Sequence, residues 1–240
     1  MLTATRGLRF RAVVLPLSLL AGCAGVLPQP PEPAPRTYLL APDQMAGETG
    51  SGNRRLGGLR GPARTLSVSR PEDAAGYASA RMAYVEQDYR LDYFADHAWV
   101  DSPAAMLGPL LVEALRGAFP AVAEETRGIG SDLRLDTFIE SLYQDFRTRP
   151  SQARVQIRVR LVDPERGHVL ASRVFTDAEP APADDPYGGV VAVNRVLSRM
   201  LPEIAAFAEG AAARAGAPER MSGPPLTERV PGPPISSAPR

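Results

Sequence analysis

Residues 153–163 carry the cleanest periodicity in the chain. Val155, Ile157, Val159 and Leu161 alternate with Arg154, Gln156, Arg158 and Arg160. A period of two predicts a half-buried antiparallel strand with one face on a core. Asp163-Pro164-Glu165-Arg166-Gly167 has turn composition, so 168–177 is expected to return as the hairpin partner. Upstream, 133–146 starts with Leu133, Leu135, Thr137 and Ile139 on one face; Phe138, Leu142 and Phe146 then break the alternation, which predicts a bulge near residue 140. Shorter strands are expected at 38–40, 65–70, 81–86, 89–93 and 122–126.

Two stretches switch to helical spacing. Asp101-Ser102-Pro103 reads as a capping side chain followed by proline at the first helical position. Met106, Leu107, Leu110, Leu111, Ala114 and Leu115 then form one apolar stripe, ending near Ala118, with Pro109 inside it. Val190, Val193, Leu197, Met200, Leu201, Ile204 and Phe207 give a second stripe, on a helix expected from Tyr187 to Glu209. Strands with one polar face need helices on the other face only. The expectation is therefore an α+β two-layer sandwich, an antiparallel sheet with two helices packed on one face.

Proline and glycine mark the boundaries. Pro28, Pro30, Pro31, Pro33 and Pro35 make 23–36 an extended tether. Six glycines between Pro42 and Arg64 read as a flexible loop. One domain is expected over 37–210, with a disordered Pro-rich tail over 211–240.

The N-terminal segment has the three-part plan of a secretory signal: Arg6, Arg9 and Arg11 without an acid, the apolar run 12–20, then small residues. Its apolar core is too short to span a bilayer, which takes ~20 residues. Leu20-Ala21-Gly22-Cys23 resembles the lipobox of bacterial lipoproteins. Residues 1–22 are thus expected to be a lipoprotein signal peptide. Cys23 becomes the first mature residue, carrying palmitate-type acyl chains on its sulfur and amine. At ~0.8 kcal/mol per buried CH₂, three such chains hold a protein firmly. By analogy with enterobacterial lipoprotein sorting, Ala24 rather than aspartate after the cysteine implies the outer membrane, periplasmic face.

Charge and composition narrow the chemistry. All 27 basic residues are arginine. A lysine-free chain has no phosphate-loop lysine and no Schiff-base nucleophile. Loss of residues 1–22 leaves 24 Arg against 27 Asp+Glu, which argues against a nucleic-acid partner. His97 and His168, the two histidines, belong to no metal-ligand motif. No nucleophile elbow or Rossmann glycine set appears. The expectation is a non-catalytic protein with no cofactor and no metal.

Two features remain as candidate surfaces. Tyr84, Tyr89, Tyr93, Phe94 and Trp99 crowd into sixteen residues; Tyr84, Tyr89, Tyr93 and Trp99 form a candidate partner surface, against the alternative that the rings close one end of the core. The arginines of 153–163 are either a solvated face or a site for anionic headgroups.

In order along the chain stand the lipobox, Tyr38-Leu39-Leu40, Leu66-x-Val68, Gly76-Tyr77, a strand ending in Tyr84, Trp99-Val100, a Pro103-x-x-Met106-Leu107 helix start, Asp132-x-x-Leu135 or Asp136-x-x-Ile139, and Ala192-Val193-Asn194. In that order they resemble the ABC-type transport auxiliary lipoproteins, which include PqiC-like proteins. The resemblance covers about 38–209. It implies a non-enzymatic accessory of a lipid-transport system, docking an MCE-domain protein with its ABC permease and ATPase at the outer membrane. Homo-oligomers are compatible with it. The alternative is a structural envelope lipoprotein binding cell wall or an assembly machine.

Overall fold

The computed structural model describes residues 34–42, 64–125 and 130–216. The signal segment, Cys23, most of the tether, loop residues 43–63 and the tail from 217 onward lie outside the described residues.

The fold is mixed α+β, a nine-stranded sheet with two helices. Its spine is β7 (Leu133–Asp145), followed by β8 (Gln152–Asp163) and β9 (His168–Pro180) as an antiparallel meander. The alternation at 153–163 is realised: Val155, Ile157, Val159 and Leu161 are buried, while their polar neighbours lie on the open face. The bulge sits where the spacing predicts it. The β7–β8 register shifts between Ile139 and Ser141, leaving Glu140 as the extra residue. At the β8–β9 turn, Gly167 has φ 66°, and the Asp163 carboxylate accepts from the Arg166 amide at 3.0 Å.

The sheet is mixed, which corrects the antiparallel sheet expected from the alternation. The other edge of β7 is met in succession by β2 (Leu66–Val68), β3 (Glu72–Asp73) and β4 (Arg81–Val85), all parallel to it. β6 (Val122–Glu124) extends the sheet in parallel beyond β2. β5 (Asp92–Trp99) returns antiparallel along β4, and β1 (Arg36–Tyr38) runs parallel to β5. Parallel pairing requires a crossover. Between β5 and β7 the chain passes through α1 (Pro103–Leu115), which turns it back into the direction of β2–β4.

Ser102 caps α1, its hydroxyl accepting from the Ala105 amide at 3.3 Å, and Pro103 opens the helix as the sequence predicts. Asp73 of β3 accepts from the Ala104 amide at 3.1 Å, tying the helix start to the sheet. Burial raises the pKa of Asp73 despite that hydrogen bond. Leu107, Leu111 and Leu115 are fully buried, each worth roughly 2 kcal/mol of apolar transfer.

α2 runs from Pro186 to Gly216, six residues past the expected domain boundary at 210. Ala211 and Ala212 in this extension are buried, as is Ala208 just before it. α1 and α2 share one core with β7, β8 and Phe175 of β9. Arg199 on α2 pairs with Asp177 and Glu179 of β9 at 2.8 and 2.9 Å, latching the helix to the outer hairpin.

Candidate partner surface

The β4–β5 hairpin holds the aromatic stretch, and its irregular register decides where each ring goes. Arg81 pairs with Ala98 and Ala83 with Tyr93, so residues 94–97 of β5 face Met82 alone. This large bulge brings Phe94 and His97 into one ring cluster. The Phe94 ring lies 4.6 Å from that of Tyr84, 6.2 Å from Phe146 and 6.2 Å from His97. His97 stacks on Tyr38 at 5.7 Å, nearly parallel, and its Nδ1 meets the Tyr38 hydroxyl at 2.8 Å. Tyr38 in turn lies 6.2 Å from Tyr187. Six rings from five elements or element ends thus form one continuous chain.

The four candidate residues do not form one surface. Tyr89 stands wholly exposed at the hairpin tip, with φ 66°. That is an uncommon conformation for a bulky side chain, and it holds the ring away from the domain. Tyr84 belongs to the half-buried ring chain. Tyr93 lies beneath the Arg81 guanidinium, 3.6 Å from its ring centre, and donates to the Gly76 carbonyl at 2.9 Å. A Cβ on Gly76 would stand 3.0 Å from the Leu91 Cδ2 methyl, a tight approach that the Leu91 side chain would have to shift to relieve. Burial, together with Tyr143 and Tyr93 beside it, pushes the Tyr77 phenol up to about 12. Trp99 is 3% exposed and part of the core, which corrects its assignment to a partner surface; it ends β5 inside the core, where its large apolar area is best buried. Sequence reading missed Tyr38, Phe146 and Tyr187 as partners of the cluster, because they lie far from the aromatic stretch along the chain.

Asn194 explains the Ala192-Val193-Asn194 pattern. From α2, buried, its Oδ1 accepts from the Ala41 amide at 2.6 Å. Its Nδ2 donates to the carbonyls of Leu39 and Val190, at 3.3 and 3.0 Å. The amide side chain satisfies the backbone that continues β1, pinning the chain's entry point to the helix. Asp132, the first of the two Asp-x-x-apolar candidates, clamps β2 to β7. Its carboxylate accepts from the Thr65 amide and hydroxyl at 2.7 and 2.8 Å, which lowers its pKa. Asp136 instead pairs with Arg134 at 2.7 Å.

The arginine face of β8 is largely neutralised. Arg158 and Gln156 both donate to Glu140, the bulge residue, and Arg154 pairs with Asp145 at 2.7 Å. Beside them runs an open groove of about 700 Å³ whose lining includes both Arg70 and Arg160 and the acids Glu72 and Asp136. His168 is exposed at the β8–β9 hairpin. Among the described residues no group of three or more His, Cys, Asp or Glu could hold a metal ion, and no helix is long and apolar enough to cross a membrane.

No curated protein matches the chain. Among solved structures, protein XCC0632 from Xanthomonas campestris is similar over 66% of this chain and 92% of its own, at 21% identity and a TM-score of 0.60. A second, described as an uncharacterized protein, is similar over 62% of this chain and 94% of its own, at 17% identity and a TM-score of 0.52. A lipoprotein from Caulobacter crescentus CB15, described as putative, covers 61% of this chain and 89% of its own, at 14% identity and a TM-score of 0.33. The first two show the shared fold. The family model for the ABC-type transport auxiliary lipoprotein component matches residues 38–205, from the last residue of β1 well into α2. The chain therefore belongs to the ABC-type transport auxiliary lipoprotein family.

Proposed function

We propose that the protein is the outer-membrane accessory subunit of an MCE-type ABC lipid-transport system, and that it docks the transporter without catalysing a reaction. The observation that carries this reading is the family match over 38–205, which takes in the ring cluster's strands and the Asn194 clamp. The lipobox supports a lipid anchor at Cys23, with 1–22 removed and 23–36 as tether. The exposed Tyr89, held out by its left-handed backbone at the hairpin tip, supports a docking contact there. A single exposed aromatic at a projecting turn suits insertion into a partner's apolar pocket.

The test is in-cell crosslinking of the full chain with a photoreactive residue at position 89, followed by mass spectrometry of the captured proteins. Capture of an MCE-domain protein together with its permease and ATPase is the expected result. Capture of cell-wall or assembly components alone would replace this reading with that of a structural envelope lipoprotein.

A further inference from the structure

Three of the six exposed large hydrophobics among the described residues gather at one corner of the sheet. Leu39 is 54% exposed, Val100 55% and Tyr187 62%. Tyr38 joins them: its carbonyl accepts from the Val100 amide at 2.9 Å, and its ring lies 6.2 Å from that of Tyr187. The β1–β5 register places Tyr38 beside Trp99, so Leu39 and Val100 follow as neighbours at the ends of their strands. Nothing among the described residues covers this corner. Single exposed hydrophobics are ordinary, but a cluster with two tyrosines at its margin is not.

We propose that this corner, formed by Tyr38, Leu39, Val100 and Tyr187, rests on the phospholipid surface to which Cys23 is anchored. The proposal deepens the reading above and rests on acylation of Cys23. The length of chain leading to the corner is the first argument. Ten residues separate Cys23 from Ala34, and Tyr38 follows four residues later. Fifteen Cα steps from Cys23 to Tyr38 reach at most ~54 Å, so the acyl chains keep this corner within that distance of the bilayer. The Asn194 clamp fixes Leu39 and Ala41 to α2, so the tether leads directly into the corner. Tyrosine suits the headgroup level, with an apolar ring and a wet hydroxyl.

Charge contributes little net attraction here, so the apolar side chains carry the contact. Arg36 is the one charged residue in 34–42, exposed, and without an ion pair among the described residues. The nearby acids Asp101 and Asp185 accept from backbone amides at the starts of the two helices, from Ser102 at 2.6 Å and Gly188 at 2.7 Å. The geometry also orients the domain. Trp99 ends β5 at this corner, while the hairpin tip with Tyr89 lies beyond its other end. With its bulge, β5 covers only the length of five-residue β4, roughly 16 Å, and membrane contact at this end leaves Tyr89 projecting away from the bilayer.

The test uses the full acylated chain, purified from membranes and reconstituted into phosphatidylethanolamine/phosphatidylglycerol vesicles with brominated acyl chains. In Tyr187→Trp the introduced indole should lose more than half its fluorescence relative to unbrominated vesicles, while in Tyr89→Trp it should lose almost none. Trp99, buried in the core, is the unquenched reference in both. Equal quenching of the two variants, or none in Tyr187→Trp, would overturn the proposal. Hydroxyl-radical footprinting of the unsubstituted chain guards against a misfolded variant. Oxidation at Tyr38, Leu39 and Tyr187 should fall severalfold in vesicles relative to soluble Cys23→Ser protein, with Tyr89 unchanged; equal oxidation would overturn the proposal. The intact mass separates the two failures. A chain without acyl groups overturns both the anchor and the corner, whereas an acylated chain with an unprotected corner overturns the corner alone.

Discussion

Replacing Asp145 by Asn tests whether the end of β7 is held by charge. The Asp145 side chain is 1% exposed. Its carboxylate accepts from the Arg147 amide, Nε and Nη2 at 3.1, 2.9 and 2.9 Å, and from the Arg154 Nε at 2.7 Å. These bonds, with Arg147 the largest contributor, depress its pKa from 3.8 to about 2, against the opposing effect of burial. A shift of nearly two units, at about 1.36 kcal/mol each, corresponds to roughly 2 kcal/mol of stability at neutral pH. Arg147 and Arg154 are 35% and 41% exposed and rehydrate when the charge is lost, so the cost should not greatly exceed that figure. The sign follows from the direction of the shift. A depressed folded-state pKa contributes fully above the unfolded value of 3.8 and is lost as pH falls through about 2. Urea unfolding of wild type and Asp145→Asn should therefore differ by roughly 2 kcal/mol from pH 5 to 7, and by about half of that near pH 3. A difference that stays constant down to pH 3, or is absent at pH 7, would refute the electrostatic account.

Other consequences are equally direct. Asn194→Ala strands the Ala41 amide and the Leu39 carbonyl, and should cost roughly 2–4 kcal/mol in urea unfolding while the Ala41 amide exchanges its hydrogen severalfold faster; unchanged exchange would disprove the clamp. A Cβ on Gly189 would stand 2.3 Å from Gln144 Oε1, so Gly189→Ala should cost about 1–3 kcal/mol. Adding Gln144→Ala should return part of that loss, and strictly additive costs would show that the contact is not the cause. Trp99→Ala should cost roughly 3–5 kcal/mol, as expected of a core ring, whereas Tyr89→Ala should leave the melting temperature unchanged and reduce co-purification of the partner with a tagged chain.

Much of the candidate surface was not legible in the chain. The aromatic stretch drew attention to Tyr84 and Tyr89, but the cluster around Tyr84 depends on Tyr38, Phe146 and Tyr187, more than forty residues away. Trp99 sits in the same aromatic stretch as Tyr89 and has the opposite environment, because one strand runs from a solvent-facing turn to the core. The neutralised arginine face likewise depends on Glu140 and Asp145, which only the β7–β8 pairing brings diagonally within reach of Arg158 and Arg154.

Features set by a few neighbouring residues were readable from the sequence by itself: the period of two over 153–163, the Ser102 cap with Pro103, the turn at 163–167 and the bulge near residue 140. Each is decided by sterics and hydrogen bonding within one or two turns of chain, and composition there is sufficient. Only the tertiary structure decided that β2, β3 and β4 run parallel to β7, that α2 continues through its alanines to Gly216, and that Asn194 holds the backbone after β1. Strand direction follows from the path of α1 between β5 and β7. The alanine-rich end of α2 carries little hydrophobic signal and is stabilised by the core it packs on. The Asn194 clamp joins positions more than 150 residues apart, a separation at which local pattern carries no information.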